Sequence, residues 1–284
     1  MIPAAFDYVR AKSVAEALKA VGKDSKFIAG GHSLLPLLKL RLAQPGRLID
    51  IGHLSQLKGI KAAGSGLRIG AGTTYRELLE SKLLRDRYPL IAEVTERIGD
   101  LQVRNVGTIG GGLAHADPAA DMPPVMLVLD ATFVLQSKGG KRSVPARKFF
   151  RGPFATVLKP NELLTEIRLP ALPRGAGTAY VSFDQAASGY ALVGAAALVA
   201  LAKAKLSRAE LAFTGLADTP FLATLPRLVG TARDGAGDMI TQVAGAAAAG
   251  VEANEDIHAS AEYRIHLAQL AARRALAGAL ARAT

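Results

Sequence analysis

The chain has 284 residues, enough for two or three core-forming units at a soft prior of about 150 residues per domain. Half of the residues are hydrophobic and 21% are charged, which excludes a largely disordered chain; with no Trp and 5% aromatics, packing must be aliphatic. The net charge of +11 admits a nucleic-acid partner, while the absence of Cys excludes disulfides, thiolate nucleophiles, iron–sulfur clusters and thiolate zinc sites.

In chain order, the opening MIPAAFDYVRAK lacks a charged segment followed by an apolar core, so no signal peptide is expected and the protein is assigned to the cytoplasm. SVAEALKAV (13–21) predicts a short helix with Ser13 as N-cap and Glu16 completing a capping box. KFIAGG predicts a strand entering a turn at Gly30 and Gly31, with Ser33 capping the helix that follows. RLIDI (47–51) and the glycine-punctuated LKGIKAAGSGLRIGAG (57–72) predict further strands, and Thr74 with Glu77 starts a helix. The Gly- and Pro-rich segment 108–124 precedes the apolar run VMLVLDATFVLQS, which with GG and KRSVPA predicts a hairpin; ELLTEIRLP predicts another strand. PALPRGAG (170–177) reads as a linker. Beyond it TAYVSF, an Ala-rich run and RAELAFTGL predict strands, followed by Ala-rich helices. The run YALVGAAALVALAKAKL (190–206) carries two Lys and is too short for a membrane span, so it is taken as a buried element.

The positive charge concentrates in two places. Lys138 to Arg151 holds six basic residues and no acid, and the tail after Glu262 holds Arg264, Arg273, Arg274 and Arg282. Tail positions Ile265, Leu267, Leu270, Leu276 and Leu280 recur with helical spacing, so its arginines are expected on the wet face of an amphipathic helix. Neither stretch carries a helix-turn-helix, zinc-finger or RNA-binding signature, so no nucleic-acid partner is assigned.

Two glycine segments carry the binding chemistry. Gly30 and Gly31 at a strand end can leave successive N–H groups pointing one way, an anion-binding nest suited to phosphate. In NVGTIGGGLAHADPAADMPPV (105–125), three adjacent glycines beside the Thr108 hydroxyl allow backbone to approach the same ligand from the other side. Neither matches the Rossmann or Walker spacing, and GSGLRIG misses the former by one residue. His115, Asp117 and Asp121 are not read as a metal site; Asp121 is better placed to accept from a ribose or ring N–H.

AGGHSLLPLLKLRLAQP with LIDI, RNVGTIGGGLAHADPAADMPPVMLVLDA, FTGLADTP (213–220) and YRIHLAQLAARRAL together resemble the FAD-binding medium subunit of the molybdenum hydroxylases, the carbon monoxide dehydrogenase and xanthine dehydrogenase group. The resemblance implies an α+β protein: a two-lobed FAD-binding fold of the vanillyl-alcohol-oxidase type (residues 1–56 and 57–172), followed by a smaller α/β C-terminal domain (177–284). By position it places Ala29, Gly30, Gly31, His32, Ser33 and Leu34 around the diphosphate of FAD, with Thr108, Gly110 and Gly111 closing from the other side. It places Asp121 near the adenosine part, the Leu164 backbone near the flavin ring, and Tyr190 against the isoalloxazine; a plain core role is the alternative for Tyr190. Two departures stand out: Gly112 replaces the usual Asn, and Asp184 stands where a basic residue is common, which leaves out a positive charge.

The same resemblance implies an electron-transfer subunit with no catalytic side chain of its own and no metal. Its implied partners are a molybdenum-cofactor large subunit and an iron–sulfur small subunit, in a dimer of heterotrimers. A stand-alone flavin oxidoreductase is the alternative, and a basic scaffold or nucleic-acid-binding protein without flavin is a more distant one.

Overall fold

The computed structural model describes residues 1–284. The first sheet is parallel, in the order β1-β3-β2, and is built from β1 (Asp7–Arg10), β2 (Ser25–Ile28) and β3 (Arg47–Asp50) with α1 (Val14–Ala20) and α2 (Leu34–Lys39). The Ser13 side chain accepts from Glu16 N at 3.1 Å as expected, but the Glu16 carboxylate accepts from Lys12 N, so the capping box is half formed. Val14, Ala17 and Leu18 of α1 share a small core with Ile49, Leu54 and Leu57. The chain leaves β2 at the carboxyl end of a parallel sheet, the edge at which open α/β sheets present ligand sites, and it does so through Ala29, Gly30 and Gly31.

The second sheet is antiparallel, in the order β4-β5-β10-β6-β7. Its elements begin with β4 (Ile60–Ala63) and β5 (Gly66–Gly70) and continue through six helices: α3 (Tyr75–Glu80), α4 (Lys82–Arg87), α5 (Pro89–Arg97), α6 (Leu101–Val106), α7 (Ile109–His115) and α8 (Met122–Val128). Then come β6 (Thr132–Ser137), β7 (Gly140–Pro145), the short pair β8 (Phe150–Gly152) and β9 (Ala155–Thr156), and β10 (Leu163–Leu169). Thr74 and Glu77 close a full capping box at the start of α3. The apolar run expected as a strand divides: Val125–Val128 completes α8, Asp130 turns the chain with φ +52°, and β6 begins at Thr132. All seven residues of α8 are buried, so no polar face marked it as a helix, and its two prolines fall in the first turn, where the missing N–H groups cost nothing.

The third sheet, β11-β12-β13-β14, comprises β11 (Gly177–Asp184), β12 (Ala191–Ala202), β13 (Lys205–Thr214) and β14 (Phe221–Leu222), followed by α9 (Ala236–Ala246) and α10 (Ala261–Arg282). Its residues alternate between two cores: Tyr180, Ala196, Leu198 and Ala212 join the core of the second sheet, while Ala179, Ala195, Ala197, Val199, Leu211 and Phe213 join one with α9 and α10. A strand buried on both faces reads as a continuous apolar run, and here small side chains let the helices come close. A Cβ at Gly177 would lie 2.0 Å from Ala279 O.

The arginines do not all face water. Arg264 is 96% buried on α10, Arg142 makes a forked pair with Glu162 (2.7 and 2.6 Å), and Arg147 reaches both Asp130 and Glu210. The expected wet face therefore begins after Arg264, with Arg273, Arg274 and Arg282 exposed. No helix is long and apolar enough to cross a membrane.

Candidate functional site

The two glycine segments meet backbone to backbone. A Cβ on Gly30 would lie 2.1 Å from Val106 O and 2.9 Å from Gly107 Cα, so only glycine admits this approach. Gly31 takes φ +75°, and Gly52 packs beneath the Ala29 carbonyl. The backbone N–H groups of Gly30, Gly31, His32, Ser33 and Leu34 donate to no acceptor within the chain, while Gly31 O already accepts from Leu35 N at 2.8 Å. A run of unpaired donors at the carboxyl edge of a sheet fits a diphosphate. Ser33 does not cap α2: it lies in the helical region at φ −93°, ψ −44°, and its side chain makes no capping bond. Its hydroxyl is therefore not committed to the helix.

The second segment is not a loop. Gly110, Gly111 and Gly112 lie in the first turns of α7, with the Thr108 hydroxyl accepting from Gly111 N at 3.2 Å. Glycine disfavours a helix by about 1 kcal/mol relative to Ala. Tertiary bonds supply what propensity lacks: Ile109 N donates to Thr73 O (3.0 Å) and Gly110 N to Ala71 O (2.8 Å). Ala71 N in turn donates to Thr165 O (3.0 Å) at a bulge in β10, one residue beyond Leu164. The N–H groups of Gly110 and Gly111 are thus already used, and this segment offers bare backbone surface where the first segment offers donors. The Leu164 side chain is buried in the same core as Ile109 and Leu113, so the side chain is not available to a ligand.

Beyond α7 lies a polar cluster that joins the second and third sheets. Tyr180 on β11 donates to Asp121 Oδ1 at 2.5 Å, and Thr214 donates to the carbonyls of Pro118 and Ala120 (2.7 and 2.8 Å). Gly215 N also donates to Pro118 O at 2.8 Å, which gives the FTGL stretch its part: it clamps the chain that carries Asp121. Tyr190 is 53% exposed, so the core alternative for it is set aside. It sits on the β11–β12 turn, where burial and the carboxylates of Asp117 and Asp121 push its phenol up. Asp184 is not left without a cation: Arg97, from the last turn of α5, donates to Ser182 Oγ at 2.9 Å, lies 3.7 Å from the Asp184 carboxylate and stands over the Tyr180 ring.

Burial pushes the Asp121 carboxyl up to about 6, with Asp184 and Asp117 adding to the rise, against the lowering effects of the Tyr180 hydroxyl and Arg97. A carboxyl raised from 3.8 favours the fold fully below about pH 4, and that contribution is lost as pH rises through about 6. Asp121→Asn, which keeps the acceptor for Tyr180, is therefore expected to gain stability over the wild type by up to about 3 kcal/mol between pH 4 and pH 7.5. Urea unfolding of the two apo-proteins across that range checks this; parallel pH profiles would show that Asp121 is not held protonated.

Several residues of this site escaped the sequence. Val106 and Gly107 form the contact face for Gly30, Tyr75 lies against Gly107 and Gly112, and Tyr180, Arg97 and Thr214 complete the cluster. The GAGTT stretch before Tyr75 was the available signal, with a glycine turn running into a helix cap.

Residues 4–172 match the family described as the FAD binding domain in molybdopterin dehydrogenase, and residues 178–279 the CO dehydrogenase flavoprotein C-terminal domain. The carbon monoxide dehydrogenase medium chain of Hydrogenophaga pseudoflava is 41% identical over 287 residues, covering 99% of each chain. The glyceraldehyde dehydrogenase medium chain of Sulfolobus acidocaldarius is 44% identical over 225 residues, covering 78% of this chain and 80% of its own. The solved structure of the Hydrogenophaga pseudoflava carbon monoxide dehydrogenase superposes with a TM-score of 0.95, covering 100% of both chains. With the two-segment glycine site in place, the chain belongs to the family of FAD-binding medium subunits of the molybdenum hydroxylases, flavoprotein components of multi-subunit oxidoreductases.

Proposed function

We propose that this subunit carries electrons: it accepts them from iron–sulfur clusters of a small subunit, fed by a molybdenum-cofactor large subunit, and passes them to an external acceptor. The observation that carries the reading is the row of free N–H groups at Gly30–Leu34 facing a bare glycine backbone, in a chain with no cysteine to hold a cluster itself. Bound FAD would supply the redox chemistry, since flavins exchange electrons singly or in pairs.

The residues of the chain bind and orient. Ala29 through Leu34 hold the diphosphate; Thr108, Gly110 and Gly111 let it approach from the other side. Asp121, with one oxygen held by Tyr180, offers the other to a cofactor hydroxyl or N–H. The Leu164 backbone borders the ring, and the exposed face of Tyr190 packs against it. The assembly fits a dimer of heterotrimers in the cytoplasm, with the exposed Lys138, Lys141, Lys148 and Arg151 available to an acidic partner.

The purified chain is expected to bind FAD, with absorbance at about 450 nm, and to show no reduction of it by organic substrates alone. Co-expression with the genes adjacent to its own should yield a complex containing molybdenum, iron and flavin in which substrate bleaches that band. Turnover of an organic substrate by the lone chain with a dye acceptor would replace the electron-relay reading with a stand-alone oxidoreductase.

A further inference from the structure

Tyr75 is the first residue of α3, and its place is over-determined. Its N–H donates to Gly107 O at 3.0 Å, and the preceding Thr74 bridges to Thr108. Its ring lies on Gly107, where an added Cβ would meet Cδ2 and Cε2 at 3.1 and 3.2 Å. Its hydroxyl ends at Gly112, only 2.3 Å from where a Cβ would be. The side chain thus spans the second glycine segment from one end to the other, and the two glycines at its ends leave it room. Tyr75 is 93% buried, yet its hydroxyl takes no hydrogen-bond partner within the chain. The oxygen itself is not enclosed, since Arg264 Nε alone is a fully buried side-chain polar atom without a partner. The hydroxyl therefore lies at the rim of the site where a ligand can reach it, and Phe would fill the same space without offering a donor.

We propose that the Tyr75 hydroxyl donates a hydrogen bond directly to an oxygen of bound FAD, across the bare backbone of Gly112. The proposal rests on the FAD-binding reading of the site. The hydroxyl stands between the unpaired donors of the first segment and the Asp121–Tyr190 cluster, with both Asp121 and Tyr190 in electrostatic reach. Burial and those two neighbours hold its proton firmly, so it stays a donor across the working pH range. Every backbone N–H from Ile109 to Gly112 is already paired within the chain, so on this side of the cofactor a side chain must provide the donor.

The test is Tyr75→Phe in the full chain, with the flavin removed and then titrated back, and with melting measured for both apo-proteins. The expected result is FAD binding about tenfold weaker, the equivalent of one hydrogen bond at roughly 1.4 kcal/mol, with an apo-protein that melts no lower than wild type. Affinity within twofold of wild type would overturn the proposal. So would an apo variant that melts lower, because the hydroxyl would then serve the fold. If the wild-type chain itself bound no FAD, the cofactor reading would fail along with the proposal, a result distinct from a wild type that binds and a variant that binds equally well.

Discussion

Gly30→Ala loses FAD affinity by at least about a hundredfold, roughly 2.7 kcal/mol, while Gly31→Ala loses less. The added methyl at Gly30 would stand 2.1 Å from Val106 O and 2.8 Å from Val106 C, both main-chain atoms that cannot rotate away. The first segment must therefore retreat from the second, and overpacking of this kind typically costs about 1–3 kcal/mol in stability as well. At Gly31 the methyl would meet Leu35 Cδ1 at 3.0 Å, the flexible end of an exposed side chain, so the remaining penalty is the positive φ, about 1–2 kcal/mol. Titration of the two apo-proteins with FAD gives the order. A Gly31 variant that binds worse than the Gly30 variant would show that donor geometry, not the contact between segments, limits binding.

Arg264→Met lowers stability by about 2 kcal/mol and loosens the flavin site from a distance. Its Nη1 donates to the carbonyls of Leu192 and Gly215, and its Nη2 pairs with Asp256 at 2.7 Å. Replacement by Met takes this donor from the buried Gly215 carbonyl and the partly buried Leu192 carbonyl, at about 1–3 kcal/mol each. Its Nε already lacks a partner, so part of that cost is present in the wild type and the lower end of the range applies. Gly215, with φ +75°, directly follows Thr214, whose hydroxyl holds Pro118 and Ala120. Released carbonyls on one side of that turn disturb the clamp on the other. At about 2–3 °C per kcal/mol for a chain of this size, the melting temperature should drop by roughly 4–6 °C. FAD affinity should fall with it; an unchanged melting temperature would mean that solvent replaces the guanidinium without cost.

The family and the α+β class were legible because the features that define them are local. Glycines at 30–31 and 110–112, the Thr74–Glu77 capping box and the FTGL stretch are visible to anyone reading in sequence order. The errors have one cause. Arg264 looked like one basic residue among four on a helix, and only the fold brings Leu192 and Gly215 to it. α7 looked like a turn because three glycines oppose a helix, and the carbonyls of Ala71 and Thr73 that secure it lie more than thirty residues upstream. Ser33 looked like a cap by type and position, yet its backbone already has helical angles. Residue type reports what a side chain is able to do; distant backbone decides whether it is needed.

The double-sided third sheet has a bearing on how this protein can drift. Ala195 and Ala196 are adjacent, identical and fully enclosed, but the first belongs to the core with α9 and α10 and the second to the core of the flavin-binding half. Enlarging one presses outward on the terminal helix; enlarging the other presses on the layer behind Asp121. Accepted changes along β12 should therefore fall into two interleaved sets, each compensated on its own side, so that a single strand keeps two separate histories.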